Sequence, residues 1–148
     1  MNKKYQFAFS IAIIAAVLDQ LIKFVVKNNV GINDSIPIVK NYLHITYITN
    51  TGSAFGLFRD SNLLFIFVSI AIMIFIVYYL KNAKSENKIE HVFFGLLFGG
   101  IIGNLIDRLI YGHVIDFIDF RIWPVFNLAD SFITISVIGL VSYSWKKK

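Results

Sequence analysis

Two aspartates, Asp116 and Asp130, stand in the strings Val114-Ile115-Asp116-Phe117 and Phe126-Asn127-Leu128-Ala129-Asp130. Each lies where an apolar segment meets one short connection. Carboxylates are costly near hydrocarbon and mark function there by default. Two that meet across one connection can share a proton. The ionised one can then draw a proton from a trapped water while the protonated one supports the oxygen of the carbonyl under attack. Such a pair titrates as a unit. Plainer roles compete for the same residues. Asp130 heads an apolar segment, where aspartate is a common helix cap, and Asn127 can equally be that cap. Asp119 can stand in for Asp116 as the partner, or it can pair locally with Arg121.

Other chemistries lack their residues. The chain has no cysteine, which removes disulfides, thiolate zinc sites and a thiol nucleophile. No His-Glu-x-x-His zinc motif and no Gly-x-Ser-x-Gly elbow occur, and His44, His91 and His113 are scattered. Ser53 and Ser131 have no recognisable histidine base. Carboxylates are the remaining acid–base groups.

The elements that must hold these groups read as membrane spans. Of 148 residues, 57% are hydrophobic and 16% charged, against about 25% charged in a typical soluble domain. The length suits four spans of about 20 residues with short loops, read as one domain over 1–148. The spans are expected near Phe7–Val26, Leu63–Leu80, Val92–Leu109 and Ala129–Trp145. Asp19 and Lys23, with no small-residue cleavage pattern, favour a retained first helix over a cleavable signal peptide. Gly95, Gly99 and Gly103 recur every four residues, a pattern that permits close helix approach. Between the first two spans, Leu43–Ile48 alternates as a strand, Gly31 and Pro37 bound a turn-rich stretch, and Thr51–Gly56 reads as a tight turn or loop. A small sheet on the membrane surface is expected there.

The net charge of +5 sits in lysines beside apolar spans. That placement is a topology signal rather than a nucleic-acid footprint, so no nucleic-acid partner is expected. With four spans, Lys3 and Lys4, then Lys81, Lys84 and Lys88, then Lys146–Lys148 share one side, and the positive-inside rule makes it cytoplasmic. Both termini are then cytoplasmic, and the stretches 27–62 and 110–128 face outward.

Depth gathers the remaining polar residues. At a rise of about 1.5 Å per residue, Asp19 and Lys23 lie roughly 20 and 26 Å from the inner edge of the first span. Asn104 and Arg108 lie roughly 18 and 24 Å up the third. In a hydrocarbon core about 30 Å thick, all fall in the outer third with Asp116 and Asp130. Asp19 and Lys23, four apart, can pair on one helix face or contact a substrate. Asp107 can neutralise Arg108 or cap a loop. Arg108 can be an interfacial anchor or hold a lipid phosphate or carbonyl. A transporter subunit or assembly factor would use such groups as a pathway or as helix glue, more naturally at the midplane. A lipid-modifying enzyme holding a headgroup on Arg108 would not need two convergent aspartates.

Five blocks in order carry a resemblance: Asp19-Gln20-Leu21-Ile22-Lys23; Asn50-Thr51-Gly52-Ser53-Ala54-Phe55; Gly99 through Arg108; Val114 through Phe117; and Phe126 through Asp130. Together they make the chain resemble the lipoprotein signal peptidase (signal peptidase II) family of bacterial membrane aspartic peptidases. The resemblance implies Asp116 and Asp130 as the catalytic pair. It implies Asp19, Lys23, Asn50, Gly52, Ala54, Phe55, Asn104, Arg108 and Asn127 as residues that bind substrate or shape the site. The implied fold is all-α and integral to the membrane: four transmembrane helices with a small extracytoplasmic β-cradle and an extracytoplasmic helix–loop. The implied reaction removes the signal peptide from diacylglyceryl-modified prolipoproteins, just before the lipid-modified cysteine, without a cofactor. Membrane lipids as partners, a monomer, a multi-pass place in the bacterial cytoplasmic membrane with the site facing out, and inhibition by globomycin are expected with it. Gly52 and Gly56 flank Ser53-Ala54-Phe55, so Phe55, Leu57 and Phe58 are expected to cover the site as a lid.

Overall fold

The computed structural model describes residues 3–52, 58–82 and 87–146. Uninterrupted apolar sequence builds four long helices: α1 over Lys3–Asn29, α2 over Asn62–Asn82, α3 over Lys88–Tyr111 and α4 over Leu128–Lys146. Each is long and apolar enough to cross a membrane. They coincide with the four expected spans and run slightly beyond them into polar flanks.

Helix α3 is the centre of the bundle, with half of its spanning residues buried against 6% in α2. Its small residues set the approach of its neighbours. A β-carbon at Gly95 would stand 2.6 Å from the Ala8 carbonyl oxygen, and one at Gly99 would stand 2.5 Å from that of Ala12. The glycine stripe therefore does what its spacing suggests and lets α1 lie against α3. Gly100, outside the stripe, does the same for α4, where a β-carbon would meet the Ala129 carbonyl at 2.6 Å. Helix α2 packs on α3 through Ile76, Met73 and Leu80 against Phe94, Leu97 and Phe98.

The strands are β1 (Ser35–Val39), β2 (Leu43–Asn50) and β3 (Val114–Asp119), antiparallel in the order β1-β2-β3. One expectation is corrected here. Pro37 lies inside β1 rather than bounding a turn, which is tolerated because β1 is an edge strand and bulges between Pro37 and Val39. The connection after α3 contains β3, which is almost wholly buried and so lacks the apolar–polar alternation that reveals a strand. Val26 and Val30 pack with Tyr47, Ile115 and Phe117, joining the end of α1 to the sheet. Among the described residues, 30–61 holds strands and turns and no extracytoplasmic helix. Residues 53–57, with most of the expected lid, lie outside the described ones.

Candidate active site

The register of the sheet places the first acid. Ile48 of β2 pairs with Asp116 of β3, and Asn50 pairs with Val114. Asn50 and Asp116 are thus diagonal neighbours on one face. Asn50 Nδ2 donates to Asp116 Oδ2 at 2.8 Å, and Asn50 Oδ1 accepts from the Gly52 amide at 3.0 Å. Asp116 is only 2% exposed. That burial, and next the charge of Asp130, push its carboxyl up to about 7, although hydrogen bonds from Asn50 and Asn127 and the charge of Lys23 pull the other way.

The second acid is placed by a reciprocal cap. Asn127 precedes the first helical residue of α4, and its Oδ1 accepts from the Asp130 amide at 2.8 Å. Asp130 Oδ2 accepts in return from the Asn127 amide at 3.3 Å. This is the geometry of a capping box, with Asp130 in the third helical position. Asn127 is therefore the cap, and Asp130 is its partner with one oxygen turned elsewhere. Asn127 Nδ2 also donates to Asp116 Oδ1 at 2.8 Å, so one fully buried amide touches both acids.

Beneath the acids lies a charged buttress between α1 and α3. The Lys23 ammonium has three donors and three partners: Asp19 Oδ2 at 2.7 Å, Asp107 Oδ2 at 2.8 Å and Asn104 Oδ1 at 3.0 Å. Lys23 is 1% exposed, and Asp19 and Asp107 are fully buried. Asp19 and Lys23 do pair, as their spacing allows, but as members of a larger set. Asp19 Oδ1 accepts from the Ala129 amide at 2.9 Å, which fixes the start of α4. Asn104 Nδ2 donates to Asp130 Oδ1 at 2.7 Å and Asn104 Oδ1 accepts from Asn127 at 3.0 Å, so Asn104 links the buttress to the acids. Asp107 turns away from its neighbour Arg108. It binds Lys23, accepts from Gln20 at 2.8 Å and accepts from the Ile115 amide at 3.1 Å, anchoring β3.

Above the acids a cavity of about 530 Å³ opens, with Asn50, Asn104, Arg108, Asp116 and Asp130 at its polar end. Residues 123–126 and 133–135 supply mostly apolar walls. Its size suits a bound organic group or peptide segment. Arg108 Nη2 donates to the Gly52 carbonyl at 3.3 Å, and the guanidinium carbon stands 4.8 Å over the Phe65 ring, tying α3 to the turn after β2 and to α2. A second groove of about 320 Å³ lies between α1, α2 and α3, lined by residues such as Ala8, Ala12, Phe94 and Lys81. It contains no carboxylate and offers no acid–base chemistry.

Asp119 is committed elsewhere. It accepts from Thr46 Oγ1 at 2.7 Å and from the Arg121 amide at 2.7 Å, and its pairing with Arg121 at 3.5 Å is the local one anticipated. Ala54 and Phe55 lie outside the described residues. Every other anticipated site residue belongs to one connected network, with Asp19 and Lys23 buried below it rather than lining the cavity. Sequence reasoning missed Asp107 and Gln20 as buttress members and Trp123–Phe126 as a wall. A tryptophan beside a proline in a short connection was the available signal for the wall.

A family model described as signal peptidase (SPase) II matches residues 11–146. A lipoprotein signal peptidase of Halothermothrix orenii is 39% identical over 140 residues, covering 95% of this chain and 96% of that protein. One of Staphylococcus aureus is 37% identical over 147 residues, covering 95% and 90%. A solved bacterial membrane enzyme superposes with a TM-score of 0.89 at 35% identity, covering 94% of this chain and 87% of its own. Another superposes with a TM-score of 0.87 at 34% identity, covering 95% and 94%. With a family match over nearly its whole length, and relatives that agree in sequence, extent and fold, this chain belongs to the signal peptidase II family of aspartic peptidases.

Proposed function

We propose that this multi-pass membrane enzyme removes the signal peptide from diacylglyceryl-modified prolipoproteins, cutting just before the lipid-modified cysteine with Asp116 and Asp130. The observation that carries this reading is the single buried amide of Asn127, which touches Asp116 and is locked in a reciprocal cap with Asp130. Asn127 holds both acids at one cavity. In the resting site the pair holds one proton. The ionised carboxylate takes a proton from water, and the water attacks the scissile carbonyl. The protonated acid hydrogen-bonds to the carbonyl oxygen and then helps protonate the leaving amine. Arg108, at the polar end of the cavity, faces the position where carbonyl or phosphate oxygens would lie.

The depth of the site supports this substrate class. The polar groups of the site sit at the sheet end of the helices, and Lys81, Lys88 and Lys146 lie at the opposite ends. With the lysines cytoplasmic, the site opens at the outer membrane boundary, where a signal helix ends. Acyl chains can stay in the bilayer while the backbone reaches the acids. The test compares two synthetic prolipoprotein peptides, one diacylglyceryl-modified and one bare, incubated with purified protein and read by mass spectrometry. Cleavage before the modified cysteine is expected, with the bare peptide cut far more slowly. Equal cleavage of both, or a cut elsewhere, contradicts the substrate assignment.

A further inference from the structure

We propose that Arg121 is a positioning residue for this reaction, clamping the segment between the two acids to all three strands and so holding the cavity wall against which the peptide lies. The inference rests on the peptidase reading above and adds a determinant of substrate affinity.

The chain between β3 and α4 leaves Asp119 and reaches Asn127, and residues 123–126 of it form a wall of the cavity. At its far end it is tied back by Phe126, which exchanges backbone hydrogen bonds with Ile118 at 2.7 and 3.1 Å. At its middle, Ile122 is 93% exposed. Something must fix the near end, and Arg121 does. Its φ of 66° is left-handed, a conformation that costs a residue with a side chain and persists only where surroundings impose it.

Those surroundings are three strands. The Arg121 amide donates to Asp119 Oδ1 of β3 at 2.7 Å. Its Nε donates to His44 Nδ1 of β2 at 3.0 Å, which requires a neutral His44 with that nitrogen unprotonated. Its Nη2 donates to Ser35 Oγ of β1 at 2.7 Å. The acceptors are themselves cross-linked, Ser35 to Thr46 at 2.8 Å and Thr46 to Asp119 at 2.7 Å. The planar guanidinium fixes its diverging donors in one fork, so Nε and Nη2 meet two strands at once. Burial works against ionisation of Asp119, yet the bonds from Thr46 and the Arg121 amide and the Arg121 charge hold its carboxyl below the usual value, so it stays an acceptor at neutral pH.

The acids are held by other residues: Asn50, Asn104 and Asn127. Loss of the clamp should therefore disturb the wall and leave the acids in place. That separates substrate affinity from chemistry.

The test is steady-state kinetics of the full chain in detergent micelles, using a diacylglyceryl-modified prolipoprotein peptide at several pH values. Wild type is compared with Arg121→Gly, Arg121→Lys and Ser35→Ala. Arg121→Gly keeps the left-handed turn and removes the guanidinium. It should raise KM about fivefold, from lost charge-assisted bonds discounted for partial exposure, with kcat unchanged within about twofold. The pH at which kcat falls should not move. Arg121→Lys should give a smaller rise, because an ammonium keeps the charge and one of the contacts but lacks the fixed fork. KM does not depend on the fraction of protein that is folded, so partial misfolding lowers only apparent kcat. Should Arg121→Gly fail to fold, Ser35→Ala decides, with an expected rise in KM of about twofold or more. Unchanged KM in the folded variants overturns the proposal. So does a shifted pH profile, which would place Arg121 on the acids themselves. A wild type that leaves the peptide uncut overturns the peptidase reading, a separate result.

Discussion

At the scale of residues, the site is a set of carboxylates, Asp19, Asp107, Asp116 and Asp130, spread over four elements and tied together by the amides of Asn50, Asn104 and Asn127 and by Lys23. Asp116 is the member of the pair whose ionisation should set the pH dependence. Burial and the charge of Asp130 push its carboxyl up to about 7, so the shared-proton state should be lost, and kcat should fall, as pH rises through that value. Asn50 donates to the ionised form, so Asn50→Leu should move the fall upward by about one pH unit, measured from a pH–rate profile. The same shift has a stability consequence. The native protein holds a proton on Asp116 that the unfolded chain gives up at about 4, so this group's contribution to stability declines as pH rises from about 4 to 7. Lys23 is the second residue with a clear expectation. Replacing it with Met leaves Asp19 and Asp107 buried without their cation, a loss of about 3 kcal/mol or more that a thermal melt in detergent would register. The pairing of Asp19 with Lys23 was legible because four residues span one helical turn. The roles of Asn104 and Asp107 were not, since no spacing rule reaches from one helix to another. Spacing also left Asp119 open as an alternative acid, and only the hydrogen bonds from Thr46 and Arg121 show where it is engaged.

At the scale of elements, the bundle depends on small residues of α3. Gly99→Leu would drive a side chain into Ala12 and Ala15 of α1. It should separate the helices that carry the buttress, at a cost of about 1–3 kcal/mol or more, with a lowered melting temperature and lost activity. Gly112→Ala is a useful contrast. Nothing stands within 4 Å of a β-carbon there, so only its left-handed φ of 76° is strained, and a smaller effect is expected. All four helices were readable because each is a long apolar run with polar ends. β2 was readable from its alternation. β1 was hidden by Pro37, which is acceptable only because the strand lies at an edge. β3 was hidden by burial on both faces, which removes the periodic signal. The strand that carries Asp116 was thus the one the sequence least revealed, although the acid itself stood out.

At the scale of the whole molecule, the polar groups of the site gather at the sheet end of four helices long enough to span a membrane, while Lys81, Lys88 and Lys146 lie at the opposite end. The absence of cysteine makes orientation simple to test, since any introduced thiol is the only one. Tyr42, at 73% exposure on the turn between β1 and β2, should react as Tyr42→Cys with an impermeant maleimide on intact cells. Lys88→Cys should react only after permeabilisation, and the reverse pattern would invert the topology. Depth was legible from residue counts along the spans, whereas the cavity wall at 123–126 was not, because it forms only when a connection folds back on β3 through Phe126. The central claim is that Asp116 and Asp130 act together, and cleavage of a diacylglyceryl-modified prolipoprotein peptide at saturating concentration tests it most directly. Asp116→Asn and Asp130→Asn should each lose at least about a hundredfold in turnover while remaining folded. Asp119→Asn should still cleave at that concentration. Turnover at the wild-type rate by either of the first two variants would contradict the account.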